Sequence, residues 1–217
     1  MKESLKVGLL GSNGSMGRRY KAILNFLGVS FVEYDPSLTR GKGDLTRFMS
    51  VPCTHYIIAT PTDTHEEVAA ALMQTEGRNL LIEKPVCTSS EDVRSLLEQA
   101  KDTSTTITVM MQYKYIDRSE LQNAPTISYY NFYNTGKDGL LWDCFQVIAF
   151  DKTGVIKLYN DSPMWSCSIN GYQLYQSSVD KAYVTFVRNW LAGNEVQSPE
   201  DIIKWHEKVE DLIRKRK

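Results

Sequence analysis

The chain has 217 residues, 42% of them hydrophobic and 24% charged, with a formal net charge of -1. This is ordinary globular composition, enough for one large domain or two small ones, and it excludes a low-complexity tail or a binder driven to nucleic acid by bulk charge. No apolar run is long enough to span a bilayer, and the N-terminus lacks the apolar core of a secretory leader.

The first half alternates strand and helix. Leu5 to Leu10 is an apolar run that stops at Gly11, as a buried parallel strand does. Met16, Tyr20, Ile23, Leu24 and Leu27 recur at helical spacing, and Gly28 ends that helix. Val29 to Tyr34 reads as a second strand closed by Asp35 and Pro36, and Tyr56 to Ala59 as a third. Glu66 to Gln74 is alanine-rich and helical, and Asn79 to Ile82 is a fourth strand. Ser89 caps the next helix, with Asp92 at its third position and Val93, Leu96, Leu97 and Ala100 facing inward. Thr105 to Met111 is a fifth strand. The alternation predicts an α/β fold with a Rossmann-type, doubly wound parallel sheet over residues 1–112.

Residues 113–217 change character. Thr126 to Tyr133 and Val155 to Tyr159 read as aromatic-rich strands. A helix then carries Val179, Ala182, Tyr183, Phe186, Val187, Trp190 and Leu191 on one face. The last helix starts at Ser198 with Pro199 in its first turn and turns Ile202, Trp205, Val209 and Leu212 inward. This is a reduced α+β domain, small for an independent core, that is expected to lean on the first domain or on another subunit. The basic run Arg214 to Lys217 is a solvated helix end.

The first strand–helix turn is Gly11-Ser12-Asn13-Gly14-Ser15-Met16-Gly17. A tight turn after a strand needs glycine, a diphosphate needs backbone without Cβ atoms in the way, and a helix start offers N–H groups to an anion. The spacing is G-x-x-G-x-x-G, and the flanking strand and helix are what such a motif requires. Asp35 ends the second strand, where a carboxylate accepts hydrogen bonds from ribose hydroxyls and repels a 2′-phosphate. NAD is therefore favoured, while Arg40 nearby leaves NADP open; read blandly, Asp35-Pro36-Ser37 is a turn.

Two further stretches carry a family resemblance: Ala59-Thr60-Pro61-Thr62-Asp63-Thr64-His65 after the third strand and Glu83-Lys84-Pro85 after the fourth. Together with Gly14 to Tyr20, and with Phe186, Trp190, Ser198-Pro199-Glu200-Asp201 and His206, they resemble the Gfo/Idh/MocA family of NAD(P)-dependent oxidoreductases. The resemblance implies that Gly11 to Met16, Asp35, Thr60, Pro61, Thr62, His65, Glu83, Lys84 and Pro85 bind the cofactor, with His65 a supporting residue rather than a catalyst. It implies that Lys84, preceding a proline bond that is often cis in the family, binds the substrate oxygen and moves its proton. A cationic ring beside a lysine favours loss of the lysine proton. Gln112-Tyr113-Lys114-Tyr115 stands where the family has N-x-R or Q-x-R, so Gln112 and Lys114 are implied substrate contacts, Lys114 without an arginine's fork.

The family's sugar dehydrogenases carry D-x-x-x-H on a helix of the second domain. Here Gly139 to Val147 is similar to that segment: Asp143 matches the aspartate, and Val147 stands in place of the histidine. Either Lys84 works with Asp143, Tyr113 or Tyr115, or the substrate differs in kind, or the chain binds cofactor with little turnover. The implied activity is hydride transfer between nicotinamide and a carbinol or ketone carbon of a sugar, cyclitol or related polyol. The competing reading is a non-catalytic dinucleotide-binding or sensing protein. A dihydrodipicolinate-type reductase shares the loop but not its histidine-rich segment. The second domain is shorter than the family's usual open sheet, and a homodimer through the reduced sheet would cover its edge. The four cysteines, Cys53, Cys87, Cys144 and Cys167, form no C-x-x-C pair and no cluster with histidine, so no metal and a reduced cytoplasmic setting are expected.

Overall fold

The computed structural model describes residues 5–38, 43–115, 126–134, 142–150, 158–159, 166–169, 172–174 and 176–214. Its centre is a five-stranded, all-parallel sheet: β1 (Lys6–Leu10), β2 (Ser30–Tyr34), β3 (His55–Ile58), β4 (Asn79–Ile82) and β5 (Thr106–Val109). The spatial order is β2-β1-β3-β4-β5. The chain leaves β1 for β2 on one side and returns to β3 on the other, so the connections diverge between β1 and β3. In open α/β sheets ligands bind outside the carboxyl ends of the strands at such a switch point. The register brings those ends level, with Leu10 opposite both Tyr34 and Ile58, Ile58 opposite Ile82, and Ile82 opposite Val109.

The helices follow from local signals. α1 (Ser15–Phe26) buries Gly17, Tyr20, Ile23 and Leu24. Two short helices come next, α2 (Gly43–Met49) and α3 (His65–Leu72). The Asp92 N–H donates to the Ser89 hydroxyl at the start of α4 (Ser90–Asp102), as its capping sequence predicts. The seven residues of α2 hold too few turns for a helical repeat to register in sequence, and no helix was expected there.

Beyond residue 125 the strands are antiparallel. β6 (Thr126–Asn134) pairs with β7 (Trp142–Phe150), while β8 (Leu158–Tyr159), β9 (Ser166–Ile169) and β10 (Tyr172–Leu174) form a second small sheet. This corrects one expectation: Asp143 and Val147 lie on a strand, not on the helix implied by the resemblance. β7 is rich in aromatic and β-branched residues and runs the full length of β6, with Asp143 opposite Tyr133 and Val147 opposite Tyr129. Of the strand expected over 155–159 only Leu158–Tyr159 is found, and the remainder lies outside the described residues.

The closing helices, α5 (Gln176–Leu191) and α6 (Pro199–Arg214), pack onto the parallel sheet domain. Ala182, Tyr183, Phe186, Val187 and Trp190 of α5 join the hydrophobic core formed by the sheet, α1 and α4. Each large apolar side chain so buried contributes about 1.5–3 kcal/mol. In front of α6, the Gln197 amide lies along β5: it accepts from the Val109 N–H and donates to the Val109 carbonyl, both at 2.8 Å. β5 is an edge strand, and this side chain takes the place of a neighbouring backbone. Glu210 of α6 accepts from the Ser90 N–H and hydroxyl at the start of α4. Among the described residues no helix is long and apolar enough to cross a membrane.

Candidate functional site

The glycine-rich turn leaves β1 at Gly11, whose φ of +79° is a left-handed conformation that favours glycine. The Gly11 N–H donates to the Tyr34 carbonyl at 2.9 Å, which ties the turn to the end of β2. Gly17 lies so close to this turn that a Cβ atom there would sit 2.0 Å from the Gly11 oxygen. α1 has no side-chain cap, and its first intrahelical bond is from the Arg18 N–H to the Gly14 carbonyl. The N–H groups of Ser15, Met16 and Gly17 therefore have no intrahelical acceptor and stand at the positive end of the helix dipole. A turn in which Gly11 and Gly14 present no Cβ atom, opening onto an uncapped helix start, fits the diphosphate of a dinucleotide.

Beside it is a cavity of about 760 Å³, walled by Gly11, Asn13 and Gly14 of the turn, Tyr34 to Ser37, Ala59 to Pro61, and the inner face of α3. Thr62 and Ser12 do not line it; Ser12 is wholly buried. Asp35 stands on the cavity wall with both carboxylate oxygens engaged. Oδ2 accepts from the Asn13 N–H at 2.9 Å, and Oδ1 accepts from the Ser37 N–H at 2.9 Å and the Ser37 hydroxyl at 2.6 Å. Burial alone would raise the Asp35 carboxyl, but these hydrogen bonds outweigh it and hold the group below the usual carboxylate value. Asp35 is thus both the turn residue of the bland reading and an ionised wall of the cavity. Each oxygen of an ionised carboxylate has two acceptor sites, so Oδ2 retains one for a ribose hydroxyl.

His65 explains how the two sequence stretches after β3 and β4 act together. It is 1% exposed. Its Nδ1 is 2.9 Å from the Pro85 carbonyl oxygen and its Nε2 is 2.8 Å from the Thr60 carbonyl oxygen. Burial lowers its pKa, and a neutral imidazole carries one N–H, which donates to one of these carbonyls at a time. The ring bridges the two loops and is covered from solvent. Thr64 secures the first loop further by donating to the Pro61 carbonyl at 2.7 Å.

Lys84 stands at the exit of β4, joined to Pro85 by a cis peptide bond. Its side chain is 6% exposed. Nζ donates to Gln112 Oε1 at 3.2 Å and lies 3.6 Å from Glu83 Oε2. Glu83 accepts at its other oxygen from the Tyr20 hydroxyl at 2.6 Å. Burial, and then the Glu83 carboxylate, push the Tyr20 phenol well above its usual value, so it stays a hydrogen-bond donor. Gln112 Nε2 donates to the Tyr183 hydroxyl at 2.9 Å, and the Arg19 guanidinium sits 4.8 Å from the centre of the Tyr183 ring. The arrangement offers one ammonium group, held by a carboxylate and an amide, at the carboxyl edge of the sheet. Such a group can hold an oxygen and give or take its proton.

The structure places the turn, Asp35, Thr60, Pro61, His65, Glu83, Lys84, Pro85 and Gln112 along the carboxyl ends of the parallel strands. The side chains of Lys114 and Asp143, like that of Tyr113, lie outside the described residues. Sequence reasoning missed Tyr20 and Tyr183 as site residues and read them as core positions. The signal was their identity: a tyrosine in an otherwise apolar helix stripe needs a partner for its hydroxyl.

The known proteins agree with this fold. Residues 18–111 match the family model for the Gfo/Idh/MocA oxidoreductases, described as an NAD-binding Rossmann fold. No curated protein matches the sequence. Among solved structures, the MviM dehydrogenase from Clostridium difficile is similar at a TM-score of 0.60 and 11% identity, covering 98% of this chain and 100% of its own. A Gfo/Idh/MocA family oxidoreductase from Vibrio cholerae is similar at 0.58 and 13%, covering 98% of each chain. GenD2 from gentamicin A biosynthesis, solved with NAD, is similar at 0.59 and 15%, covering 100% of this chain and 96% of its own. At these identities the structural likenesses speak for the fold, and the family model speaks for the cofactor class. Over residues 18–111 the chain is similar to the Gfo/Idh/MocA oxidoreductases, a family described by its NAD-binding Rossmann fold.

Proposed function

We propose that this protein is an NAD(P)-dependent dehydrogenase or reductase acting between a carbinol and a ketone carbon of a sugar, cyclitol or related polyol. The observation that carries the reading is Lys84: a nearly buried ammonium, held by Gln112 and Glu83, at the same sheet edge as the glycine-rich turn. When bound, a nicotinamide dinucleotide supplies the hydride acceptor or donor. The chain's own part is to position and to move a proton. Ser15, Met16 and Gly17 offer N–H groups to the diphosphate, and Gly11 to Met16 form the cradle. Asp35 accepts from the ribose and disfavours a 2′-phosphate, which selects NAD over NADP. Thr60, Pro61, Thr62, His65, Glu83 and Pro85 shape the loops toward the nicotinamide end. In the reducing direction Lys84 gives a proton to the substrate oxygen; in the oxidising direction its neutral amine takes the hydroxyl proton. Gln112, Lys114 and Asp143 contact the substrate. Residues 1–112 form the dinucleotide domain and 113–217 the substrate and dimerisation part of a cytoplasmic homodimer.

The test is nicotinamide absorbance with purified protein across a panel of polyols and keto-sugars. Lys84→Ala is expected to lower turnover by about 10²–10⁴-fold while calorimetry still records NAD binding. Turnover unaffected by the substitution removes Lys84 from the chemistry. Tight NAD binding with no turnover on any substrate favours the sensing protein instead, the reading that Val147 in place of histidine supports.

A further inference from the structure

Among the described residues Gln112 and Glu83 hold the Lys84 ammonium, and each of these is anchored in turn by a tyrosine. On one side Tyr20 of α1 donates to Glu83. On the other, Gln112 accepts from Lys84 through Oε1 and donates through Nε2 to Tyr183 of α5. Gln112 is 1% exposed and Tyr183 4%, so bulk water does not stand in for either partner. An ammonium only donates, which requires the Gln112 carbonyl oxygen on the lysine side and leaves its NH₂ to find an acceptor on the other. Within the described residues Tyr183 supplies that acceptor. Its ring is also 5.8 Å from Lys84 Nζ, with the Arg19 guanidinium 4.8 Å from the same ring centre. Arg19 is 3.9 Å from Asp180, one turn earlier on α5.

We propose that Tyr183 is a positioning residue of the site: by accepting the Gln112 Nε2–H it holds the Gln112 carbonyl oxygen on the Lys84 ammonium. The helix α5 thereby becomes part of the site rather than only part of the core. Among the described residues the charged and titratable groups around the lysine are Glu83 at the exit of β4, Tyr20 and Arg19 from α1, and Tyr183 and Asp180 from α5; Gln112 is the neutral link. Without the Tyr183 hydroxyl the buried NH₂ of Gln112 has no acceptor among the described residues, the amide is free to rotate, and its carbonyl dipole no longer favours the charged lysine.

This inference rests on Lys84 being the working group of the proposed dehydrogenase, and its test is read without cofactor or substrate. The full chain is labelled with lysine carrying ¹³C at Cε, and the Lys84 resonance is assigned by its loss in Lys84→Arg. Its titration is then followed by NMR in the wild type and in Tyr183→Phe. The expected result is a fall in the Lys84 midpoint of about one pH unit, a tenfold loss of proton affinity. Gln112→Met removes the same arm from its other end, lowers the midpoint at least as far, and carries the test if Tyr183→Phe does not fold. A midpoint unmoved in the folded variants overturns the role of Tyr183 and leaves the dehydrogenase reading intact. A shifted midpoint in a protein that turns over no polyol upholds the arm and overturns the dehydrogenase reading.

Discussion

Adding one methyl group at either of two glycines, three residues apart, separates folding from cofactor binding. At Gly17 an added Cβ would lie 2.0 Å from the Gly11 oxygen and 2.7 Å from the Ser12 Cα and carbonyl carbon, all backbone atoms that no side-chain rotation can move aside. At Gly14 the nearest atom to a new Cβ is the Gly11 oxygen at 3.4 Å, which is van der Waals contact. Gly14 has φ -65° and ψ 169°, an extended conformation open to alanine. Gly17→Ala forces α1 and the β1 turn apart, an overpacking that costs about 2–3 kcal/mol, and for a chain of this size lowers Tm by about 5–10 °C. Gly14→Ala stays within about 0.5 kcal/mol of the wild type, since alanine is a poorer N-cap than glycine by about 1 kcal/mol and the loss of unfolded-chain freedom offsets most of that. Because Gly14 walls the cavity beside the uncapped start of α1, its new methyl occupies space where a diphosphate would meet the backbone. Calorimetric titration with NAD then gives binding weakened at least tenfold in a protein of native Tm. Thermal unfolding and calorimetry on the two variants together check the reasoning. It is refuted if Gly17→Ala unfolds at the wild-type temperature, or if Gly14→Ala binds NAD as the wild type does.

All three histidines, His55, His65 and His206, have pKa values lowered by burial. The unfolded chain therefore takes up more protons below about pH 6.5, so stability is fully present above that value and is lost as pH falls through the lowered folded values. Urea denaturation between pH 7.5 and about 5 should give a midpoint that falls steadily, and a flat profile over this window would contradict the burial of these rings. The Asp35 carboxyl has the opposite charge chemistry and the same direction of pH dependence. Its folded value lies below the unfolded one, so its contribution is present above about pH 3.9 and disappears as pH falls through the folded value. Asp35→Asn should be less stable than the wild type at neutral pH, with the difference closing in acid. Calorimetry with the two cofactors should also record a narrower preference of that variant for NAD over NADP.

Most of the parallel sheet domain was legible because its signals are local. An apolar run ending in glycine, a helix face at regular spacing and a Ser89–Asp92 cap are each complete within one or two turns of chain. β7 was the clearest failure: the resemblance implied a helix around Asp143, while the strand belongs to a pairing with β6 across an intervening connection. α2 was missed because seven residues hold too short a repeat.

By itself, then, the sequence determined which loops stand at the carboxyl ends of the strands: the turn at Gly11 to Gly17, Asp35 at the end of β2, and Glu83-Lys84-Pro85. These depend on backbone conformations that particular residues favour over a few positions. Only the tertiary structure decided what holds them. His65 reaches 20 residues along the chain to Pro85, Tyr20 reaches 63 to Glu83, and Gln112 reaches 71 to Tyr183. Those partners are chosen by which helix packs over which strand end, and in a linear sequence a tyrosine that fills a core cannot be told from one that orients a working lysine.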